Sequence, residues 1–159
     1  MTVTSQDYAA LASDAYRDER VGRHDPAQEQ PVILNGHAYR VLEHANNRLN
    51  GYQGTIYQRV DTHEIVVAHR GTEQIGRDGI LTDGGMVLAR RNLQANDALE
   101  LTRHALAYAQ KEGRDLGQTP EVSVTGHSLG GTLAQISAHH FDLKGETFNA
   151  YGAVSLTYR

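Results

Sequence analysis

The sequence predicts an α/β protein, a sheet with flanking helices whose later strands pair in parallel. Two patterns carry that prediction. The first half holds short β-rich runs split by turn residues, which read as an antiparallel meander. From Glu64 to Ala150 the chain then alternates strand, helix, strand, helix, strand. Parallel strands joined through helices take right-handed crossovers, so such a stretch closes into one sheet. A length of 159 residues suits a single domain with a real core. Residues 1–50 read as an N-terminal helix and hairpin, and 52–159 as the α/β core.

Taken in order, Thr4 or Ser5 caps a first helix over Gln6 to Arg17, with Tyr8, Leu11, Ala12 and Ala15 at helical spacing. Gly22 to Pro31 is polar and reads as a loop. Val32-Ile33-Leu34 and Ala38 to Leu42 flank Asn35-Gly36, a hairpin signal. Asn46 to Gly51 reads as a turn, Tyr52 to Val60 as a strand, Asp61-Thr62-His63 as a turn and Glu64 to His69 as a short apolar strand. Gly71 to Gly85 is rich in glycine and polar residues and reads as a functional loop. Asn92 to Glu112 is the clearest helix. Its stripe is Ala95, Ala98, Thr102, Ala105, Leu106 and Ala109, and Gly113 ends it. Val122 to Thr125 reads as a strand, Leu129 to His140 as a helix with Leu133 and Ile136 inward, and Glu146 to Ala150 as the start of another strand.

Composition excludes several functions. A net charge of -4 argues against nucleic acid and against bulk attraction to an anionic membrane. With no cysteine there is no disulfide and no thiolate chemistry. The N-terminus lacks the charged and apolar segments of a secretory signal, and no apolar run approaches the roughly 20 residues that span a bilayer. Secretion would need another route.

One motif carries chemistry. Gly126-His127-Ser128-Leu129-Gly130 is entered by a strand and left by a helix, the setting of a nucleophile elbow. Ser128 sits at the sharp turn with its hydroxyl toward open space. Gly126 and Gly130 leave room for strand and helix to pass closely. The new helix has free N–H groups, and that of Leu129 can donate to an oxyanion. A glycine-rich helix start with a capping serine is the plainer alternative, and both flanks argue against it. A phosphate loop fails because Thr132, not lysine, follows Gly131. A second oxyanion donor comes, in such enzymes, from a loop after an earlier strand. The strand ending in Arg70-Gly71-Thr72 offers the Thr72 N–H, and Asp83 can brace that loop.

Ile65-Val66-Val67-Ala68-His69-Arg70-Gly71-Thr72, Thr82-Asp83 and Val124-Thr125-Gly126-His127-Ser128-Leu129-Gly130-Gly131 together resemble the class 3 (fungal-type) lipases. With Arg70-Gly71-Thr72-Glu73 and Asn149-Ala150-Tyr151-Gly152, the form resembles bacterial members, including lipase-like secreted effectors. The resemblance runs from about Tyr52 to Gly152. It implies an α/β-hydrolase fold, incomplete at its C-terminus, and a lipase or phospholipase that cleaves carboxylic esters of lipids. It implies no metal and no cofactor. A lipid or ester is the expected partner, with peripheral membrane contact, and the oligomeric state stays open. By position Ser128 is the nucleophile, Thr72 and Leu129 form the oxyanion hole, and Asp83, His127, Gly126 and Gly130 support it. The sequence departs where Ile80 replaces the usual Trp, where His69 replaces a frequent Phe, and in lacking a Pro near Tyr151.

Serine needs a base. In this fold the chain order is serine, acid, histidine. After Ser128 the histidines His139 and His140 precede the acids Asp142 and Glu146, so the order is wrong. A helix from the elbow carries those histidines about 16–18 Å away, whereas a base must reach within about 3 Å. His69 reads as a core residue behind the site, His127 packs beside the serine, and His63 sits in a turn. His24, His37, His44 and His104 read as surface. His63-Glu64 lacks the second histidine of a zinc helix. The expectation is that the acid and histidine lie past Arg159, or that a non-catalytic α/β module or a complementing second chain is at hand.

Overall fold

A reciprocal cap starts the first helix. The computed structural model describes residues 3–14, 22–23, 31–47, 49–71, 84–127, 129–149 and 152–156. Ahead of α1 (Ser5–Asp14), the Thr4 N–H donates to the Asp7 carboxylate at 2.9 Å and the Asp7 N–H to the Thr4 hydroxyl at 3.3 Å. This is a capping box with aspartate as the third helical residue. Thr4, not Ser5, is therefore the cap. Asp7 is fully buried and holds more than the helix. Its carboxylate accepts from Asn35 Nδ2 at 2.8 Å and lies 3.7 Å from an Arg59 guanidinium nitrogen. Burial pushes the Asp7 carboxyl up, but the Thr4 N–H, the Asn35 amide, the Thr4 hydroxyl and His37 outweigh it, and the group ends below its ordinary value. Asp7→Ala should cost about 1–2 kcal/mol in denaturant unfolding, because it removes a cap and the acceptor of the Asn35 amide. A loss below about 0.5 kcal/mol, the scatter of ordinary surface changes, would rule the cluster out as a fastener.

The strands are β1 (Gly22–Arg23), β2 (Val32–Leu34), β3 (His37–Asn47), β4 (Tyr52–Arg59), β5 (Ile65–Arg70), β6 (Val122–His127), β7 (Lys144–Asn149) and β8 (Gly152–Leu156). Two more helices, α2 (Gly84–Leu116) and α3 (Leu129–Phe141), follow β5 and β6. Among the described residues the strands form one sheet of order β1-β3-β4-β5-β6-β7-β8, with β2 on β3. The meander β3-β4-β5 is antiparallel and β5-β6-β7 is parallel, as the sequence predicts. The last pair departs from that: β8 returns antiparallel on β7. Asn35 and Gly36 have φ of 50° and 77°, the two positive values that a tight hairpin turn requires.

Both sheet faces are covered, so the central strands are apolar on both sides. On β5, Ile65 and Val67 face α2 and α3, while Val66 and Ala68 face α1. A register shift between Val41 and Glu43 turns both Leu42 and Glu43 toward α2. There Glu43 accepts from Tyr108 at 3.0 Å and pairs with His104 at 2.8 Å.

Four sequence expectations change. The segment 22–30 is not all loop, since Gly22 and Arg23 pair with His44 and Glu43. The long helix starts at Gly84, not at Asn92, and passes through Gly113. Gly113 serves close packing instead, because a methyl there would lie 2.8 Å from Thr119 Oγ1. Gly117, at φ 76°, ends the helix, and its N–H donates to the Gly113 carbonyl at 2.9 Å. Ile136 is 38% exposed, so Leu133, Ala134 and Ala138 form the inner stripe of α3 without it. His44 is not a surface residue: it is buried and bonded to the Thr55 hydroxyl at 2.6 Å.

Candidate active site

β5 and β6 deliver the site. They run parallel with His69 opposite Gly126, so the loops that leave them start at nearly the same height. β6 runs through Gly126 and His127, and α3 begins at Leu129. Strand therefore gives way to helix between His127 and Leu129. This passage brings helix backbone against strand backbone, and three glycines permit it. A methyl on Gly126 would collide with the carbonyl group of Gly130 and come within 2.8 Å of the Gly131 nitrogen. A methyl on Gly130 would strike the His69 carbonyl and lie 3.0 Å from the Arg70 Cα. Gly131 faces β7, where a methyl would sit 3.1 Å from Thr147 Cβ. Each obstacle except the last is backbone, which cannot rotate away.

The other half begins at Gly71, where β5 ends. A methyl on Gly71 would lie 2.7 Å from Leu129 Cγ and 3.0 Å from Gln94 Oε1. The loop after β5, the start of α3 and the buried Gln94 of α2 therefore meet at one point. Ser128, Thr72 and Asp83 lie outside the described residues. Of the predicted site residues, Gly126, His127, Leu129 and Gly130 stand together at this end of the sheet. His127 is exposed there, and Leu129 is half-buried.

Behind the elbow lies a hydrogen-bonded wire. His69 is fully buried. Its Nδ1 is 2.8 Å from the Tyr52 hydroxyl and its Nε2 is 3.2 Å from the Thr102 hydroxyl. The Thr102 hydroxyl donates its own proton to the Ala98 carbonyl at 2.7 Å. It must therefore accept from Nε2–H, which leaves Nδ1 to accept from Tyr52. Burial drives the His69 pKa down to about 3 and holds that of Tyr52 well above its ordinary value. Gly54 makes the room: a methyl there would clash with the Tyr52 hydroxyl and lie 2.6 Å from Leu101 Cδ2. His69 is thus neutral, doubly engaged and turned toward α2, which fits a core histidine behind the site and not a general base.

Three further histidines stand away from the elbow. His139 and His140 are exposed at the far end of α3. His63 holds φ 65° in the turn before β5, at the opposite end of the sheet. A hollow lined by Thr62, His63, Glu64, Pro120 and Glu121 opens at that same opposite end, away from the elbow. Sequence reasoning did not find Tyr52, Thr102, Gln94 or Asn50 as parts of this site. Their signal was available only in part, as polar residues on otherwise apolar stripes.

A mixed sheet covered by helices on both faces, with β6 passing into a glycine-crossed helix beside its parallel neighbour β5, has the α/β-hydrolase fold. A family model of phospholipase-like proteins, described as the Tle-like phospholipase domain, matches residues 7–158, and the chain belongs to that family. Among solved structures it is similar to the Lip2 lipase from Yarrowia lipolytica, at 16% identity and a TM-score of 0.51, covering 89% of this chain and 56% of that one. It is also similar to an MDLA variant from Penicillium cyclopium, at 18% identity and a TM-score of 0.48, covering 82% of this chain and 53% of that one. The chain thus spans about half the length of these structural neighbours. No curated protein matches its sequence. No described helix is long and apolar enough to cross a membrane.

Proposed function

We propose that this chain supplies the nucleophile and oxyanion hole of a hydrolase that cleaves carboxylic esters of lipids. The observation that carries the reading is the passage from β6 at His127 to α3 at Leu129, with Gly126 and Gly130 packed backbone to backbone. Family membership supports the lipid class of ester. In this reading the Ser128 hydroxyl attacks the ester carbonyl carbon and passes its proton to a general base. The carbonyl oxygen becomes an oxyanion held by the N–H groups of Leu129 and Thr72. The C–O bond to the alcohol breaks, the alcohol leaves with a proton, and water then hydrolyses the acyl-Ser128 intermediate. Asp83 braces the Thr72 loop. The base and its acid partner are not His69, His139 or His140, which their bonding, protonation or position removes from the role.

A fluorophosphonate probe tests the nucleophile. It should label the protein at Ser128, and Ser128→Ala should abolish labelling and lower phospholipid or short-chain ester turnover by at least about 10³-fold. Labelling that survives Ser128→Ala would sink the assignment. A second reading, a non-catalytic α/β module, is favoured by one observation: His69 is buried and bonded at both ring nitrogens, and His139 and His140 lie at the far end of α3. Ester turnover abolished by Ser128→Ala would reject it.

A further inference from the structure

We propose that Gln94 is a positioning residue that fixes the Gly71 turn against Leu129 and so sets the gap between the two oxyanion donors. The kinetic part rests on the ester-hydrolase reading, whereas the structural part does not. Gln94 sits on α2 with almost no exposure. Burying a primary amide is costly unless its polar atoms are used, and an apolar residue of similar size would fill the same volume. An amide is worth its cost where direction matters.

One edge of this amide is fixed. Gln94 Nε2 donates to the Asn50 carbonyl at 2.5 Å. Asn50 belongs to the turn between β3 and β4, and that turn is strapped to the same helix one turn further on. Asp97 Oδ2 accepts from Asn47 Nδ2 at 2.9 Å and from Asn50 Nδ2 at 2.7 Å. Asn50 Oδ1 in turn accepts the Tyr52 N–H at 2.9 Å, and Asn47 Oδ1 the Leu49 N–H at 3.0 Å. Both asparagine side chains therefore spend one end on the turn itself and the other on α2. The turn cannot shift without breaking these bonds, two of which, from the Tyr52 N–H and from Gln94 Nε2, are buried.

The other edge of the amide faces Gly71. Gln94 Oε1 and the Leu129 side chain occupy the space that a Gly71 side chain would need. The order of contact is therefore turn, Gln94, Gly71, Leu129. Thr72 follows Gly71 in the chain, and Leu129 carries the other proposed donor. A planar amide anchored on one edge is a stiff spacer, and the donor gap inherits its position. Gln94 touches no substrate in this arrangement and acts through Gly71.

Gln94→Leu in the full chain tests this by kinetics and by amide exchange. With a soluble short-chain ester, kcat should fall about 30- to 100-fold with KM within about 2-fold, the pattern of an interaction made only in the transition state. Amide hydrogen exchange at Gly71 should rise about tenfold while Val66 and Val67 in the same strand keep their protection. Asp97→Ala, which leaves Gln94 in place but frees the turn, should shift both readouts in the same direction by less. Asp97→Asn, which restores an acceptor oxygen, should recover most of that loss. Unchanged Gly71 exchange in a folded Gln94→Leu protein overturns the proposal. If Gln94→Leu does not fold, unchanged exchange in Asp97→Ala does so. Should the parent protein hydrolyse no ester, the hydrolase reading fails and the exchange experiment still decides the role of Gln94.

Discussion

Gly130→Ala is expected to destabilise the protein by about 3 kcal/mol or more, the upper range for forcing a methyl into filled space. The added carbon would meet the His69 carbonyl and the Arg70 Cα, both backbone of β5. Relief requires α3 to move off the sheet, and α3 packs on β5, β6 and β7 together. Gly126→Ala should behave alike, since its methyl would meet the backbone of Gly130 and Gly131. Gly36→Ala is the control. Gly36 has φ 77° with nothing within 4 Å of a methyl, so it should cost only the roughly 1–2 kcal/mol of left-handed backbone strain. Urea unfolding with unchanged slope measures all three. Equal losses for Gly130→Ala and Gly36→Ala would mean that the strand-helix crossing is looser than described. Whatever fraction of Gly130→Ala protein stays folded should also lose fluorophosphonate labelling, because the turn at position 128 would have been displaced.

The second large effect is acid sensitivity from His69. Its pKa in the folded protein, about 3, lies below the ordinary 6.5. Between those values the unfolded chain binds a proton that the folded chain refuses. Stability from this site is therefore full above pH 6.5 and falls as pH drops toward 3, by up to about 1.4 kcal/mol per pH unit. The lowered Asp7 group adds a further loss below its ordinary 3.8. His69→Phe should cost about 2–3 kcal/mol at pH 7, because the Tyr52 hydroxyl is left buried without its acceptor. It should also remove most of the slope between pH 6.5 and 4. Thermal melts across that range, for both proteins, provide the check. Parallel pH profiles would show that some other group controls acid unfolding.

Much of this molecule was legible in its sequence because local rules and tertiary demands agree there. Asn35-Gly36 supports positive φ at both positions, and the hairpin follows. The apolar runs of β5 and β6 match strands buried on both faces. The glycines around position 128 announce a close backbone passage; Gly126 meets the helix backbone at Gly130 and Gly131 as expected, whereas Gly130 meets β5 at His69 and Arg70. The misreadings have physical causes. Gly84 and Gly85 are poor helix formers, yet they lie in the first turn of α2, where a helix depends least on its own bonds. Gly113 looks like a terminator but is needed for contact with Thr119, while Gly117 takes the left-handed turn. His44 looked like a surface position because burial of a polar group depends on a distant partner, here Thr55. No periodicity in one segment reveals a partner in another.

The parallel pairing of β5 with β6 has a consequence in time. These two strands are separated in the chain by the whole of α2, so they cannot pair until that long segment has folded back. Closing so large a loop is slow compared with forming the meander. A newly made chain therefore passes through a stage in which β3, β4 and β5 are paired while the elbow has nothing to stand against. The junction of β5 with β6 is therefore among the last parts of the sheet to close, and it closes on a meander already in place.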